Sequence, residues 1–193
     1  MAGGAARRFG RNKLLEPFAG APLFHRALYA VAAVSDEVLV VIAPGAELPL
    51  PSDGPPMLVV RDATSFEGPL AGTLAGLAAA QGETALVVGG DMPGLRPALL
   101  RLLAARLDAG SDEAVVLADA GGPRPLPAAL RVVPARQRAF ELLHTGERRL
   151  RALVSGAQVS VIGPNEWSAV DPSGEWRRDI DLPDDLTQGQ GSR

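Results

Sequence analysis

Apolar positions along the chain fall into two kinds of pattern. Unbroken runs rich in Val, Leu and Ile occur at 37–43 (EVLVVIA), 57–62 (MLVVRD) and 84–93 (TALVVGGDMP). Runs of this length predict strands buried on both faces of a parallel sheet. EAVVLAD at 113–119 and AQVSVIG at 157–163 predict two more strands, and PLPAALRVV at 125–133 a strand with proline at its edges. Elsewhere the apolar residues recur every three or four positions, as helices require. PLFHRALYAVAAV at 22–34 is a helix with Pro22 near its first turn, and GPLAGTLAGLAAAQ at 68–81 is a loop feeding a small-residue helix. Residues 96–109 predict a helix, and 134–154 a helical stretch broken near His144, Thr145 and Gly146. EWRRDIDLPDDL at 175–186 reads as a short strand followed by a helix opened by Pro183, and residues 187–193 as a frayed tail.

Strands alternating with helices predict an α/β fold of three layers around a mostly parallel sheet, in a single domain over residues 1–186. In such sheets ligands sit beyond the carboxyl ends of the strands. Asp62 and Asp91 both follow strands of this kind. A glycine-rich loop ordinarily follows a strand, yet only Met1 and Ala2 precede Gly3. The expectation is a first strand that is truncated.

Composition narrows the function. The chain has 193 residues and a formal charge of −3, which argues against a general nucleic-acid binder. No apolar run approaches the ~20 residues of a membrane span, and no hydrophobic signal segment opens the chain. With no cysteine, disulfides and thiolate metal sites are excluded, and a cytoplasmic setting fits. The positive charge is concentrated locally: AGGAARRFGRNK at 2–13 carries three arginines and Lys13, the one lysine of the sequence. Glycine lets backbone N–H groups approach phosphate oxygens, and Arg adds bidentate contacts. The loop therefore reads as a site for a small anion, or else as a basic tail without fixed structure. Neither G-x-x-x-x-G-K-[ST] nor G-x-G-x-x-G is present, so it is neither of the commonest phosphate loops.

Asp91, after two glycines at the end of an apolar strand, needs a partner or a metal, or serves as a turn residue before Pro93. Mg²⁺ accepts one or two carboxylates together with substrate phosphate oxygens. Asp62 has the same strand-end placement and equally suits an Asx turn. Gly68, Pro69 and Leu70 open a loop whose backbone could contact a base or sugar. Asp179 and Asp181 could add a carboxylate to a metal, or form a solvated acidic turn with Asp184 and Asp185. His25 and His144 have no visible nucleophile or acid partner and read as structural. Trp167 and Trp176 read as packing residues, and Glu147, Arg148, Arg149 and Arg151 as a charged helical group open to an anionic second substrate.

Taken in order, AGG-x-x-x-R-F-G-x-x-K (2–13), GPLAG (68–72), GDMP (90–93) and DIDLPDDL (179–186) resemble the MobA-like molybdenum cofactor guanylyltransferases. The resemblance implies a Rossmann-like nucleotidyltransferase fold, GTP as donor, Mg²⁺ as cofactor, and transfer of GMP to the terminal phosphate of molybdopterin with release of pyrophosphate. It implies that Ala2, Gly3 and Gly4 lie near the nucleotide, that Arg8 meets the triphosphate and that Lys13 neutralises charge near the α-phosphate. It further implies that Asp62 and the Gly68-Pro69-Leu70 loop border the nucleotide and that Asp91 and Asp181 hold the metal. A molybdoenzyme or another cofactor-biosynthesis protein is the implied partner. A cytidylyltransferase on the same cofactor and a non-catalytic nucleotide- or cofactor-binding adaptor are the alternatives. The AGG and GPLAG sequences favour the guanine branch.

Overall fold

The computed structural model describes residues 13–51, 56–61, 68–155 and 158–180. A 3-10 turn at Lys13–Leu15 leads into a short hairpin, β1 (Pro17–Phe18) and β2 (Ala21–Pro22). Ala19 and Gly20 both take positive φ at its tip, as a tight two-residue hairpin turn demands. The chain continues through α1 (Leu23–Ala32), β3 (Val38–Ile42), β4 (Met57–Arg61), α2 (Pro69–Ala79) and β5 (Thr84–Val87). It then forms α3 (Pro97–Ala109), β6 (Ala114–Asp119), β7 (Gly122–Arg131) and α4 (Val132–His144). Last come α5 (Leu150–Leu153), β8 (Val159–Ile162), α6 (Pro164–Trp167) and a second 3-10 turn at Glu175–Arg177. Proline opens α2, α3 and α6, where its missing N–H has no helical partner to lose.

The strands form the middle of three layers, and β6 shows why. Its successive side chains must point to opposite faces. Val115 and Leu117 join Leu99, Leu103, Ala27 and Trp176 on one side. Ala114 and Val116 join Leu70, Leu77, Ala139 and Leu150 on the other. Helices α1 and α3 thus cover one face, and α2, α4 and α5 the other. Leu99, Leu100, Leu103 and Leu107 of α3 are fully buried, each worth about 1.5–3 kcal/mol of burial.

Within the middle layer the pairing falls into two blocks. β3 and β4 pair in parallel, Val38 opposite Met57 through Ile42 opposite Arg61. The larger sheet has the order β5-β7-β6-β8. β5 and β6 are both antiparallel to β7, and β8 is parallel to β6. Three of these strands therefore share one direction and β7 alone is reversed, so the expected α/β sheet is present with one antiparallel member. β3 and β5 have no strand between them among the described residues, and a cavity of about 690 Å³ separates them.

Two expectations fail. The run at 57–61 is a strand but not a buried one: Leu58 is 55% exposed and Val59 38%, because β4 has only β3 beside it among the described residues. Residues 175–180 form no strand. Gly174 takes left-handed φ, the chain tightens into a 3-10 turn, and Trp176 drops wholly into the core. The expected truncated first strand, the helix from Pro183 and the tail at 187–193 lie outside the described residues.

Candidate functional site

The end of β5 sets the site. Beyond Val87 the chain leaves the sheet through Val88, Gly89 and Gly90 to reach Asp91. A Cβ on Gly89 would lie 2.5 Å from Asp91 Oδ1 and 3.2 Å from Met92 Cγ. Glycine there leaves room for the Asp91 carboxylate to fold back over its Cα. Met92, almost fully buried, anchors the turn from below.

Lys13 reaches this carboxylate from the far end of the sequence. Its Nζ donates to Asp91 Oδ2 at 2.7 Å and to the Ile180 carbonyl oxygen at 2.8 Å. The Ile180 N–H in turn donates to the Asp91 carbonyl oxygen at 3.2 Å. Each of the three segments is held from behind. Leu14 packs into the cluster of Phe24, Leu28 and Val40, and Ile180 into that of Phe18 and Leu23. The ion pair is partly open to solvent, with side-chain exposures of 19% for Lys13 and 30% for Asp91. A charge-assisted bond in such a setting is strong enough to order both groups, yet exposed enough to be exchanged for a ligand.

A neighbouring carboxylate group is built differently. Arg124, at the start of β7, donates to Asp119 at 3.2 Å and to Asp179 at 3.3 Å. Asp179, one of the carboxylates considered for a metal, is thus paired with a guanidinium. Among the described residues no three His, Asp or Glu side chains converge as a metal site. Mg²⁺ is satisfied by one or two carboxylates in combination with phosphate oxygens or water, and Asp91 is a carboxylate open to such a role.

The Gly68-Pro69-Leu70 turn caps α2. Gly68 has φ +93°, and a Cβ there would come within 2.9 Å of the Arg148 carbonyl oxygen. The Leu70 N–H donates to that same oxygen at 3.4 Å, while the Leu70 side chain is buried in the core. The Leu70 side chain therefore packs inside while the turn's backbone lies against Arg148. Glu147 holds the opposing turn. It accepts the Arg148 N–H at 2.8 Å, the Arg149 N–H at 2.9 Å and the Arg149 guanidinium at 2.8 and 3.0 Å. These bonds, the Arg149 side chain first, lower the Glu147 carboxyl to about 2.

Of the residues singled out from sequence, the structure brings Lys13 and Asp91 together and places Gly68, Pro69 and Leu70 at a helix start. Ala2, Gly3, Gly4, Arg8, Asp62 and Asp181 lie outside the described residues. His25 Nε2 sits 3.0 Å from the Pro49 carbonyl, and His144 stacks on Phe140, in keeping with structural roles. Trp167 and Trp176 meet edge to face at 5.7 Å, as packing residues do. Sequence reasoning missed the Ile180 carbonyl, the Arg124 bridge and Asp171. Asp171 is fully buried, pairs with Arg96 at 3.3 Å and accepts the Trp176 N–H at 3.1 Å. The signal for Asp171 was its place in DPSGEW, an Asp-Pro turn ahead of an aromatic residue.

A family model described as the MobA-like NTP transferase domain matches residues 1–161. The chain is 35% identical over 195 residues to a "Probable molybdenum cofactor guanylyltransferase" of Chloroflexus aggregans, covering 96% of this chain and 89% of that one. It is 33% identical over 161 residues to a protein of the same description from Deinococcus radiodurans, covering 83% and 80%. Among solved structures it is similar to molybdopterin-guanine dinucleotide biosynthesis protein A from Archaeoglobus fulgidus, with a TM-score of 0.77 and 20% identity over 97% and 93% of the two chains.

Proposed function

The chain belongs to the MobA-like NTP transferase family, and from that premise we propose that it is a molybdenum cofactor guanylyltransferase, moving GMP from GTP to the terminal phosphate of molybdopterin. An oxygen of that phosphate attacks the α-phosphorus of GTP. The bond from the α-phosphorus to the bridging oxygen breaks, and pyrophosphate leaves with the electron pair. Such a transfer asks little covalent chemistry of the protein; alignment and neutralisation of charge carry it. The observation that carries the reading is the Lys13–Asp91 pair, held at 2.7 Å beyond the carboxyl end of β5.

The two residues divide the work. Lys13 brings a compact ammonium whose donors can turn from Asp91 to the phosphates; a planar guanidinium would be a poorer fit to one point of charge. The Ile180 carbonyl keeps that ammonium aimed while it exchanges partners. Asp91 would hold Mg²⁺, which when bound supplies charge neutralisation at the phosphates. A carboxylate at Asp91 fits this role, since phosphate oxygens would complete the coordination of the ion. The backbone of the Gly68 turn, fixed by the Arg148 carbonyl, would border the nucleoside. A cytoplasmic setting is part of the same proposal, supported by a chain without cysteine.

The test is pyrophosphate release from GTP, with and without molybdopterin, in the presence and absence of Mg²⁺. Release that needs both molybdopterin and the metal supports the proposal. Faster turnover with CTP would move the protein to the cytidylyltransferases, and tight GTP binding without product would make it an adaptor.

A further inference from the structure

Arg124 stands beside the Lys13–Asp91 pair without touching it. Val87 ends β5 opposite Ala128 of β7. Asp91 follows Val87 by as many residues as Arg124 precedes Ala128, and the two strands are antiparallel, so both residues fall at the same end of the sheet. The guanidinium is a two-armed bridge. Its Nη1 donates to Asp119 Oδ2 at 3.2 Å and its Nη2 to Asp179 Oδ2 at 3.3 Å. The Asp119 end is fixed: that residue closes β6, pairs with Gly122 across the β6–β7 turn, and accepts the Gly121 N–H on Oδ1 at 2.7 Å. The other end is the residue before Ile180, whose carbonyl oxygen takes the Lys13 ammonium at 2.8 Å.

Folding stability is a poor account of this bridge. Arg124 is 38% exposed and Asp179 35%, and ion pairs so open to solvent contribute little to folding. Trp176 and Ile180, both wholly buried, already hold the 174–180 segment against the body of the protein. Burial of the Ile180 side chain leaves the rotation of its peptide planes open. An apolar side chain tolerates a range of backbone rotation, whereas a carbonyl serves Lys13 only in a narrow one, because a hydrogen bond weakens steeply as it bends. The Ile180 N–H, donating to the Asp91 carbonyl oxygen at 3.2 Å, restricts that rotation from one side. Arg124 restricts it from the other by holding the side chain of the preceding residue.

We propose that Arg124 is a positioning residue for Lys13. By tying Asp179 to Asp119 at the β6–β7 turn, it sets the direction of the Ile180 carbonyl and hence that of the ammonium. It acts through Asp179 and Ile180, not by contact with the phosphates. The fork matters as much as the charge: a guanidinium carries donors at a fixed separation and reaches both carboxylates at once, while an ammonium offers one point. The kinetic side of this inference rests on the guanylyltransferase reading; its structural side does not.

The test uses Arg124→Ala, Asp179→Asn and, for kinetics, Arg124→Lys, each in the full chain. Lys13 is the one lysine of the sequence, so nitrogen-15 labelling of lysine gives a single side-chain ammonium signal. Hydrogen exchange of that signal with water reports how firmly the ammonium is held, whether or not the protein turns over GTP. In both Arg124→Ala and Asp179→Asn the ammonium is expected to exchange about 10-fold faster. The kcat for pyrophosphate release should fall about 10-fold, with the KM for GTP within about 2-fold. Tm should stay within about 4 °C. Arg124→Lys should recover part of kcat. Adding Arg124→Ala to Lys13→Ala should lower kcat no further, because the group that Arg124 serves has gone.

The two single substitutions change the local charge in opposite senses, so effects of opposite sign on kcat or KM would reveal a through-space electrostatic role and overturn the proposal. A raised KM with an unchanged ammonium signal would place Arg124 on the substrate and overturn it as well, as would additive losses in the double variant. Should Arg124→Ala fail to fold, Asp179→Asn leaves the Arg124–Asp119 pair intact and carries the same measurements. If the protein transfers no guanylyl group, the ammonium exchange alone decides. Faster exchange in both variants then sustains the positioning role while the enzymatic reading falls, and an unchanged rate refutes the positioning role.

Discussion

Lys13 and Asp91, 78 positions apart in sequence, meet at 2.7 Å, and a third segment closes over them through the Ile180 carbonyl. Both contacts of the Lys13 ammonium join segments far apart in the sequence. The pair therefore reports whether the two parts of the chain have docked, and it is the place where substitution separates chemistry from folding.

Lys13→Ala and Asp91→Asn are expected to lower kcat by about 10²- to 10³-fold, the usual cost of removing one preorganised charge from a transition state. Both groups are partly exposed, so Tm should change little. Lys13→Arg keeps the charge but not its compact form and should restore only part of the rate. Steady-state pyrophosphate release, paired with thermal unfolding of each variant, checks this. Full activity in both Lys13→Ala and Asp91→Asn would remove the pair from the mechanism.

Gly89→Ala should misplace the carboxylate without removing it. The added Cβ lies 2.5 Å from Asp91 Oδ1, so the side chain must swing away. A displacement of this kind is expected to reduce kcat by about 10- to 100-fold. A raised Mg²⁺ requirement in the same assay would locate the damage at Asp91.

Gly94→Ala makes the contrasting case. Its Cβ would overlap the Glu175 carbonyl oxygen, a backbone atom in the turn that carries the buried Trp176. Overpacking of this kind is expected to cost about 1–3 kcal/mol or more. Gly163→Ala, with nothing within 4 Å of the new methyl and an ordinary φ, is the control and should stay within about 0.5 kcal/mol. Urea unfolding of the two variants reads the difference.

The Glu147 turn predicts a pH dependence. Its carboxyl falls from the ordinary 4.5 to about 2, chiefly through the Arg149 side chain. A lowered carboxyl stabilises the folded turn fully above about pH 4.5, and that contribution disappears as pH falls towards 2. Carbon-13 NMR of the Glu147 carboxyl should titrate near 2, and Arg149→Ala should return it most of the way to 4.5. Since the pair is exposed, 1 M salt should move the midpoint in the same direction.

Much of this was legible in the sequence, and the failures have physical causes. The helices at Leu23–Ala32 and Pro97–Ala109 follow from apolar spacing, and the strand at Ala114–Asp119 from its run of Val and Leu. The run MLVVR looks just as apolar, yet Leu58 faces solvent, because composition records what a strand could bury and not where it lies in the sheet. Residues 175–180 read as a short strand in the sequence. The left-handed Gly174 and the N–H of Trp176, taken by buried Asp171, impose a turn instead. Lys13 and Asp91 were readable because each was chemically unusual in its place. The Ile180 oxygen that steadies Lys13 is a main-chain atom, and no side-chain pattern announces it. Arg124 and Asp179 are 55 residues apart, and only the folded chain shows which carboxylate meets which guanidinium.

The Ile180 carbonyl also sets a schedule. Lys13 leaves the ribosome early, and the oxygen that steadies it is synthesised 167 residues later. A nascent chain can assemble the β6–β7 ladder and much of the hydrophobic interior while Lys13 still lacks this support. Completion of this contact is thereby tied to synthesis of the chain as far as residue 180, so a polypeptide stalled before that position can own a folded body and still lack it.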